Sequence, residues 1–148
     1  MATSDHELIR NAISQYSLAI DQKDYENLAL GFSEDVVMKF PEPIGVLKGL
    51  SAVIEAIEPA LVHLKTHHAL TTQNVELKDD RKAVATTYCM AMHFGTGTAE
   101  GRSVTGWGHY EDTLVKGNFN GKEDWRIVER RVVFHVPHIG DASLLGLT

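Results

Sequence analysis

The chain has 148 residues, 43% hydrophobic and 23% charged, which is enough for one globular domain with a single core and leaves no room for a second. Lys and Arg number 14 against 20 Asp and Glu, a formal charge of −6 without a basic cluster, so a phosphate backbone is repelled and nucleic acid is not an expected partner. Apolar runs of only a few residues predict no membrane span and no secretory signal, and a single cysteine, Cys89, with no Asn-x-Ser/Thr sequon fits a reducing, cytoplasmic setting.

Ser4 followed by Glu7 is a capping box, and Leu8, Ile9, Ala12, Ile13, Tyr16, Ala19 and Ile20 recur at helical spacing, so a first helix is predicted to about Asp21. Asp24 reads as the N-cap of a short second helix, Tyr25 to Phe32. Val36 to Phe40 is a strand candidate that ends at Pro41-Glu42-Pro43. Ser51 is expected to cap a third helix with Val53, Ile54, Ile57, Leu61 and Leu64 as its apolar set and Pro59 as a kink. Beyond residue 66 the pattern turns to period two, and 67 to 78, 82 to 94, 102 to 116 and 124 to 136 read as strands joined by turn-forming segments. Helices followed by hairpin-connected strands predict an α+β fold with the helices packed on one curved antiparallel sheet.

Eight histidines are many for this length. A metal site is not expected, because adjacent His67 and His68 point to opposite faces of a strand and Cys89 has no Cys-x-x-Cys or His-x-His companion. General acid-base work is the other use for imidazole. His93 shares its side of the strand with Ala85, Thr87, Cys89 and Ala91, all small, which leaves volume for a ligand unless a helix fills it; the opposite side, with Tyr88, Met90 and Met92, is expected to pack tightly. On the next strand either Trp107 and His109 or Tyr110 and Asp112 face that space, and periodicity does not choose. Tyr16 and Asp21 lie about 140° apart around their helix. A carboxylate at a helix C-terminus opposes the dipole, and a histidine partner for Asp21 would compensate. The loop Gly95 to Gly101 joins strands and has the wrong spacing for a phosphate loop, and Glu129-Arg130-Arg131 reads as an exposed charged strand edge.

The segments Tyr16 to Tyr25, Thr66-His67-His68, His93, Gly106 to Tyr110 and Trp125-Arg126-Ile127 together resemble the SnoaL-like, scytalone dehydratase-like branch of the NTF2-like superfamily, over about residues 5 to 137. The resemblance implies a cone with a closed apolar pocket, no metal or organic cofactor, and a homodimer formed through the outer sheet face. It places the family's catalytic histidines on His68 and His93. Two pocket tyrosines of scytalone dehydratase fall on Ile20 and the Lys39/Phe40 region, and Tyr16 with Asp21 matches the Tyr and Asp spacing of bile-acid dehydratases in the same branch.

The expected function is therefore a cofactor-free dehydratase, isomerase or cyclase acting on a small apolar carbonyl compound of polyketide, terpenoid or steroid type. His68 would be the base, Asp21 its orienting carboxylate, Tyr16 the donor to the developing enolate and His93 the proton carrier at a second centre. Ile20, Phe40, Cys89, Ala91, Trp107, His109 and Tyr110 would bind substrate. The alternative is a non-catalytic ligand-binding or assembly module on the same cone, which has no need of a charged dyad in an apolar cavity. Residues 138 to 148 carry Leu144, Leu145 and Leu147 and are expected to close the mouth of the cone as a lid on a domain that spans 1 to 148.

Overall fold

A computed structural model describes residues 1–146. Helix α1 spans Asp5–Gln22 and begins with the reciprocal capping box: Ser4 Oγ accepts from the Glu7 amide and Glu7 Oε2 from the Ser4 amide, both at 3.2 Å. Its apolar stripe is buried, with Ile9, Ile13 and Ile20 fully enclosed, each contributing about 1.5–3 kcal/mol relative to exposure. Lys23 ends the helix in the left-handed conformation, φ 59°, where its amide bonds back to the Ile20 carbonyl.

The second helix is a 3-10 turn, Tyr25–Leu30, and Asp24 does not cap it: its carboxylate accepts from the Asn27 side chain at 2.7 Å instead of from the free amides. Strand β1 then runs Phe32–Lys39, four residues earlier than expected, and a three-residue strand β2, Val46–Lys48, was not legible at all. Helix α2, Leu50–Leu61, starts from Gly49 without a side-chain cap, so Ser51 is not its N-cap, and Leu64 lies beyond its end.

Four long strands follow: β3 Lys65–Leu77, β4 Lys82–Phe94, β5 Ser103–Phe119 and β6 Lys122–Phe134. The last hairpin turns on Asn120 and Gly121, both at positive φ, so β5 and β6 reach further into the Gly117 to Gly121 segment than the glycines suggested. A short β7, Ile139–Gly140, and a 3-10 turn, Ala142–Leu145, complete the described chain.

The sheet order is β2-β1-β6-β5-β4-β3, with β7 on β5. It is mixed rather than antiparallel throughout, because β1 lies parallel to β6. Register shifts at Phe32/Val37, Leu70/Gln73 and Thr113/Leu114 bend the long strands, as bulges do, and the curved sheet wraps α1. Trp125 fixes the last long strand to the helix start: it is fully buried and its indole N–H donates to Asp5 at 2.9 Å. On β4 the small residues face the interior and Tyr88, Met90 and Met92 face outward, with Tyr88 43% exposed, so the bulky side is the outer wall and not the tightly packed one.

Candidate active site

The C-terminal end of α1 meets the start of β3. His68 donates from its backbone amide to Asp21 Oδ2 at 2.8 Å, its Nδ1 lies 2.7 Å from Oδ1, and Thr66 donates its hydroxyl to Oδ1 at 2.8 Å. Partial burial pushes the Asp21 carboxyl upward, yet the bonds from His68 and Thr66 outweigh it and hold the group below the usual carboxylate range. An ionised Asp21 accepts the Nδ1 proton, which leaves the lone pair on Nε2. The His68 side chain is 4% exposed and borders a cavity of about 620 Å³.

Tyr16 reaches the same histidine from the other side. Its ring stands edge-on to that of His68, centroids 5.7 Å apart, so the 140° divergence of Tyr16 and Asp21 is bridged by the imidazole between them. The Tyr16 hydroxyl has no hydrogen-bond partner among the described residues, Tyr16 borders the cavity, and burial pushes its pKa up, so it is a protonated donor at neutral pH.

His93 sits 6.1 Å from His68, ring to ring. Its Nδ1 bonds the Val104 carbonyl at 3.1 Å, so Nδ1 carries the proton and Nε2 the lone pair. Burial pushes its pKa down to about 4, and His93 is neutral at neutral pH. Its free Nε2 thus carries a lone pair at the cavity wall.

Phe40, Cys89, Ala91, Trp107, His109 and Tyr110 all border the cavity. Ile20 does not: it is wholly enclosed in the core. Tyr110 and Asp112 face inward, while the side chain of His109 stacks on outward-facing Tyr88 and bonds His135 at 2.7 Å. The Tyr110 hydroxyl donates to Cys89 Sγ at 3.3 Å, and burial raises the thiol pKa, so Cys89 is a wall residue rather than a nucleophile. Phe40, Ile44, Ile57, Leu61 and Val132 supply apolar walls, and Glu42 is the one carboxylate side chain on the rim among the described residues.

Sequence reasoning missed two residues. Arg130 is not on an exposed edge, because β6 lies between β1 and β5; it is fully buried and makes a two-bond pair with Asp112, 2.7 and 2.9 Å. Its guanidinium lies 3.9 Å from the Tyr110 ring centroid and 5.2 Å from those of Tyr16 and Phe32. Burial works against its charge, but Asp112 raises its pKa further, so Arg130 stays cationic. The second missed residue is His138, half-buried on the cavity wall. The signal for it was Gly106, a glycine in a strand interior where another group comes close.

The C-terminal segment lies over this site. Leu144 and Leu145 pack against the core, Leu145 borders the cavity, and Leu147 lies outside the described residues. No helix is long and apolar enough to cross a membrane among the described residues.

The SnoaL-like domain family model matches residues 1–131. The chain belongs to the SnoaL-like family. The fold is that of the NTF2-like superfamily. A Novosphingobium aromaticivorans protein provisionally named scytalone dehydratase superposes with a TM-score of 0.75 at 22% identity, over 88% of this chain and 84% of that one. Another from the same organism, provisionally named an aromatic ring hydroxylase, gives 0.80 at 21%, over 95% and 96%. A hexachlorocyclohexane dehydrochlorinase, LinA type 2, gives 0.75 at 16%, over 93% and 88%. At these identities the likeness is one of fold. No curated protein matches the sequence.

Proposed function

We propose that the protein is a cofactor-free lyase or isomerase acting on an uncharged, mostly apolar carbonyl compound. The observation that carries this reading is the 2.7 Å bond between Asp21 and His68 Nδ1, which leaves His68 Nε2 as a base at the wall of an apolar cavity. Holding an ionised carboxylate beside such a cavity costs free energy that a simple binding module has no reason to spend. His68 takes the proton α to the carbonyl, Asp21 stabilises the imidazolium, and Tyr16 donates to the developing enolate oxygen. His93, neutral, accepts a hydrogen bond from a substrate hydroxyl through Nε2. Among the described residues no Lys or Arg lines the cavity, and Glu42 stands at its rim, so the walls do not favour a carboxylate or phosphate substrate. Two structural neighbours, one provisionally named a scytalone dehydratase and one a dehydrochlorinase, carry names of elimination enzymes, which agrees with this reading. Loss of a leaving group, return of the proton or attack on a second carbonyl distinguishes dehydratase, isomerase and cyclase.

The test is elimination of water from 4-hydroxy-4-phenylbutan-2-one, followed by absorbance of the conjugated enone. Turnover that depends on His68 supports the reading; no acceleration over buffer, together with tight binding of the ketone, moves the protein to the ligand-binding module. The working unit we propose is a cytoplasmic homodimer paired through the outer sheet face, and light scattering at twice the 16.4 kDa chain mass supports that part.

A further inference from the structure

One register row crosses the concave face: His68 on β3 pairs with Ala91 on β4, and Ala91 with Gly106 on β5. Strand β7 extends it. Val104 pairs with Gly140 and Thr105 with Ile139, so the next step along sets His138 beside Gly106. A Cβ added to Gly106 would stand 2.8 Å from His138 Nε2 and 3.0 Å from its Cδ2, so the ring occupies the space a side chain at 106 would need. The row thus has a histidine at each end and two small residues between. Two strand spacings, roughly 10 Å of backbone, separate β3 from the strand over which His138 lies, and the gap between the inward-pointing rings is where a substrate fits.

Four histidines border the cavity; His109 turns its ring outward against Tyr88, and the other three differ in what their nitrogens are free to do. His68 has Nδ1 committed to Asp21, and His93 has Nδ1 committed to the Val104 carbonyl. His138 makes no hydrogen bond among the described residues; its ring meets Phe134 edge to face at 4.8 Å and is only half-buried. An imidazole with both nitrogens uncommitted can release a proton from one while taking one from solvent at the other. Neither of the other two has that freedom.

The position of His138 is built into the chain. Gly140, at φ +116°, approaches the Ser103 carbonyl too closely for any side chain, and Arg102 clamps the segment that follows, donating to Asp141 Oδ2 at 2.6 Å and to Ser143 Oγ at 2.9 Å.

We propose that His138 is the proton donor to the leaving group, a catalytic residue delivered by the C-terminal segment; this rests on the lyase reading above. For a β-hydroxy ketone, His68 Nε2 takes the α proton and the C–H electron pair becomes the new C=C bond. The C–O bond breaks with its pair on oxygen. That oxygen takes a proton from His138 Nε2 and leaves as water, while His138 Nδ1 takes a proton from solvent. His68 then returns its proton to solvent, so the products are enone and water.

The experiment compares two ketones that differ only in the leaving group, 4-hydroxy-4-phenylbutan-2-one and 4-chloro-4-phenylbutan-2-one. Hydroxide needs a proton to leave and chloride does not. His138→Gln is expected to lower kcat/KM about 100-fold more on the hydroxy ketone than on the chloro ketone, the scale of a lost general acid. Gly106→Ala, which pushes the ring aside, repeats the same discrimination. Asp21→Asn lowers both alike, because both need the base. If the parent protein turns over both ketones and His138→Gln lowers them equally or not at all, the assignment of His138 is wrong and the lyase reading stands. If the parent protein accelerates neither, the lyase reading itself falls, and the role of His138 falls with it.

Discussion

The molecule holds two buried or half-buried acid-base pairs, Asp21 with His68 and Asp112 with Arg130, that contact the ring of Tyr16 through His68 and Arg130, and they are built for opposite purposes. Asp112 and Arg130 are both fully buried, are joined by two parallel bonds and are covered by the rings of Tyr16, Phe32 and Tyr110. Neither group has a face on the cavity. In the pair of Asp21 and His68 the aspartate is 24% exposed and the imidazole ring gives only Nδ1 to it, so one ring nitrogen is left for a ligand. Arg130 Nη1 has no partner among the described residues, yet it faces no cavity, and a charge pair shut away in this manner is scaffold; one with a free lone pair on a cavity wall can do chemistry. Arg130 also supports the site from behind, since the ring it lies against, Tyr16, is the one that touches His68.

The largest effect expected from breaking this comparison is on turnover. Asp21→Asn keeps the shape of the side chain but neither fixes the His68 tautomer nor stabilises its imidazolium, and kcat on the hydroxy ketone should fall roughly 10³- to 10⁴-fold, as for an orienting carboxylate elsewhere. Its Tm should change by only a few degrees. Rates within a factor of three of the parent would remove Asp21 from the mechanism. The second pair gives the reverse pattern. Arg130→Met leaves Asp112 buried and unpaired, and chemical denaturation should report a loss of about 3–5 kcal/mol; Asp112→Leu added to it should restore much of that, because a buried ion pair replaced whole by apolar groups is often tolerated. A double variant no more stable than the single one would mean that the two residues do not act as a unit.

These two pairs also mark how far the sequence could be read. Helix α1 was legible because its seven-residue stripe and capping box are local signals, and β3 to β6 because alternation runs for a dozen residues in each. His93 was legible from the row of small residues on its side of β4. The bond between Asp21 and His68 was anticipated from the cost of a carboxylate at a helix end and from family resemblance, not from spacing, since 47 residues separate the partners. Arg130 was misread because three consecutive charged residues look solvated, and only the sheet order, with β1 added parallel to β6, makes that strand internal. That parallel pairing joins residues about 90 apart and leaves no local trace, and the three residues of β2 are too few for any periodicity.

A smaller effect sharpens the contrast through pH. His93 titrates at 6.5 when unfolded but, with burial holding it down, only near 4 in the fold. Between those values the unfolded chain binds a proton that the folded one does not, so this contribution to stability is complete above pH 6.5 and is lost as the pH falls toward 4. By pH 4 the loss amounts to roughly 3 kcal/mol. The Asp21 contribution has its own window: its lowered pKa makes it present above the ordinary carboxylate range and lost only below it. Urea unfolding at a series of pH values should therefore show His93→Gln with a flatter profile than the parent between pH 6.5 and 4, and parallel profiles would mean that His93 is not held neutral.

The smallest expected effect lies at the mouth. Arg102 is half-exposed and its bonds to Asp141 and Ser143 hold the C-terminal turn against the site without contributing to the core. Exposed ion pairs add little to stability, so Arg102→Ala should leave the thermal transition within about a degree of the parent. What it releases is position. Leu145 and His138 reach the cavity from either side of that clamp, and a looser segment admits water beside His68, which weakens every polar interaction the base depends on. KM for the hydroxy ketone should rise about fivefold, and kcat should fall less, because the closed arrangement is still reached for part of the time. An unchanged KM with an unchanged Tm would show that the clamp is incidental and that β7 alone, paired with β5 at Val104 and Thr105, is enough to keep the C-terminal segment in place.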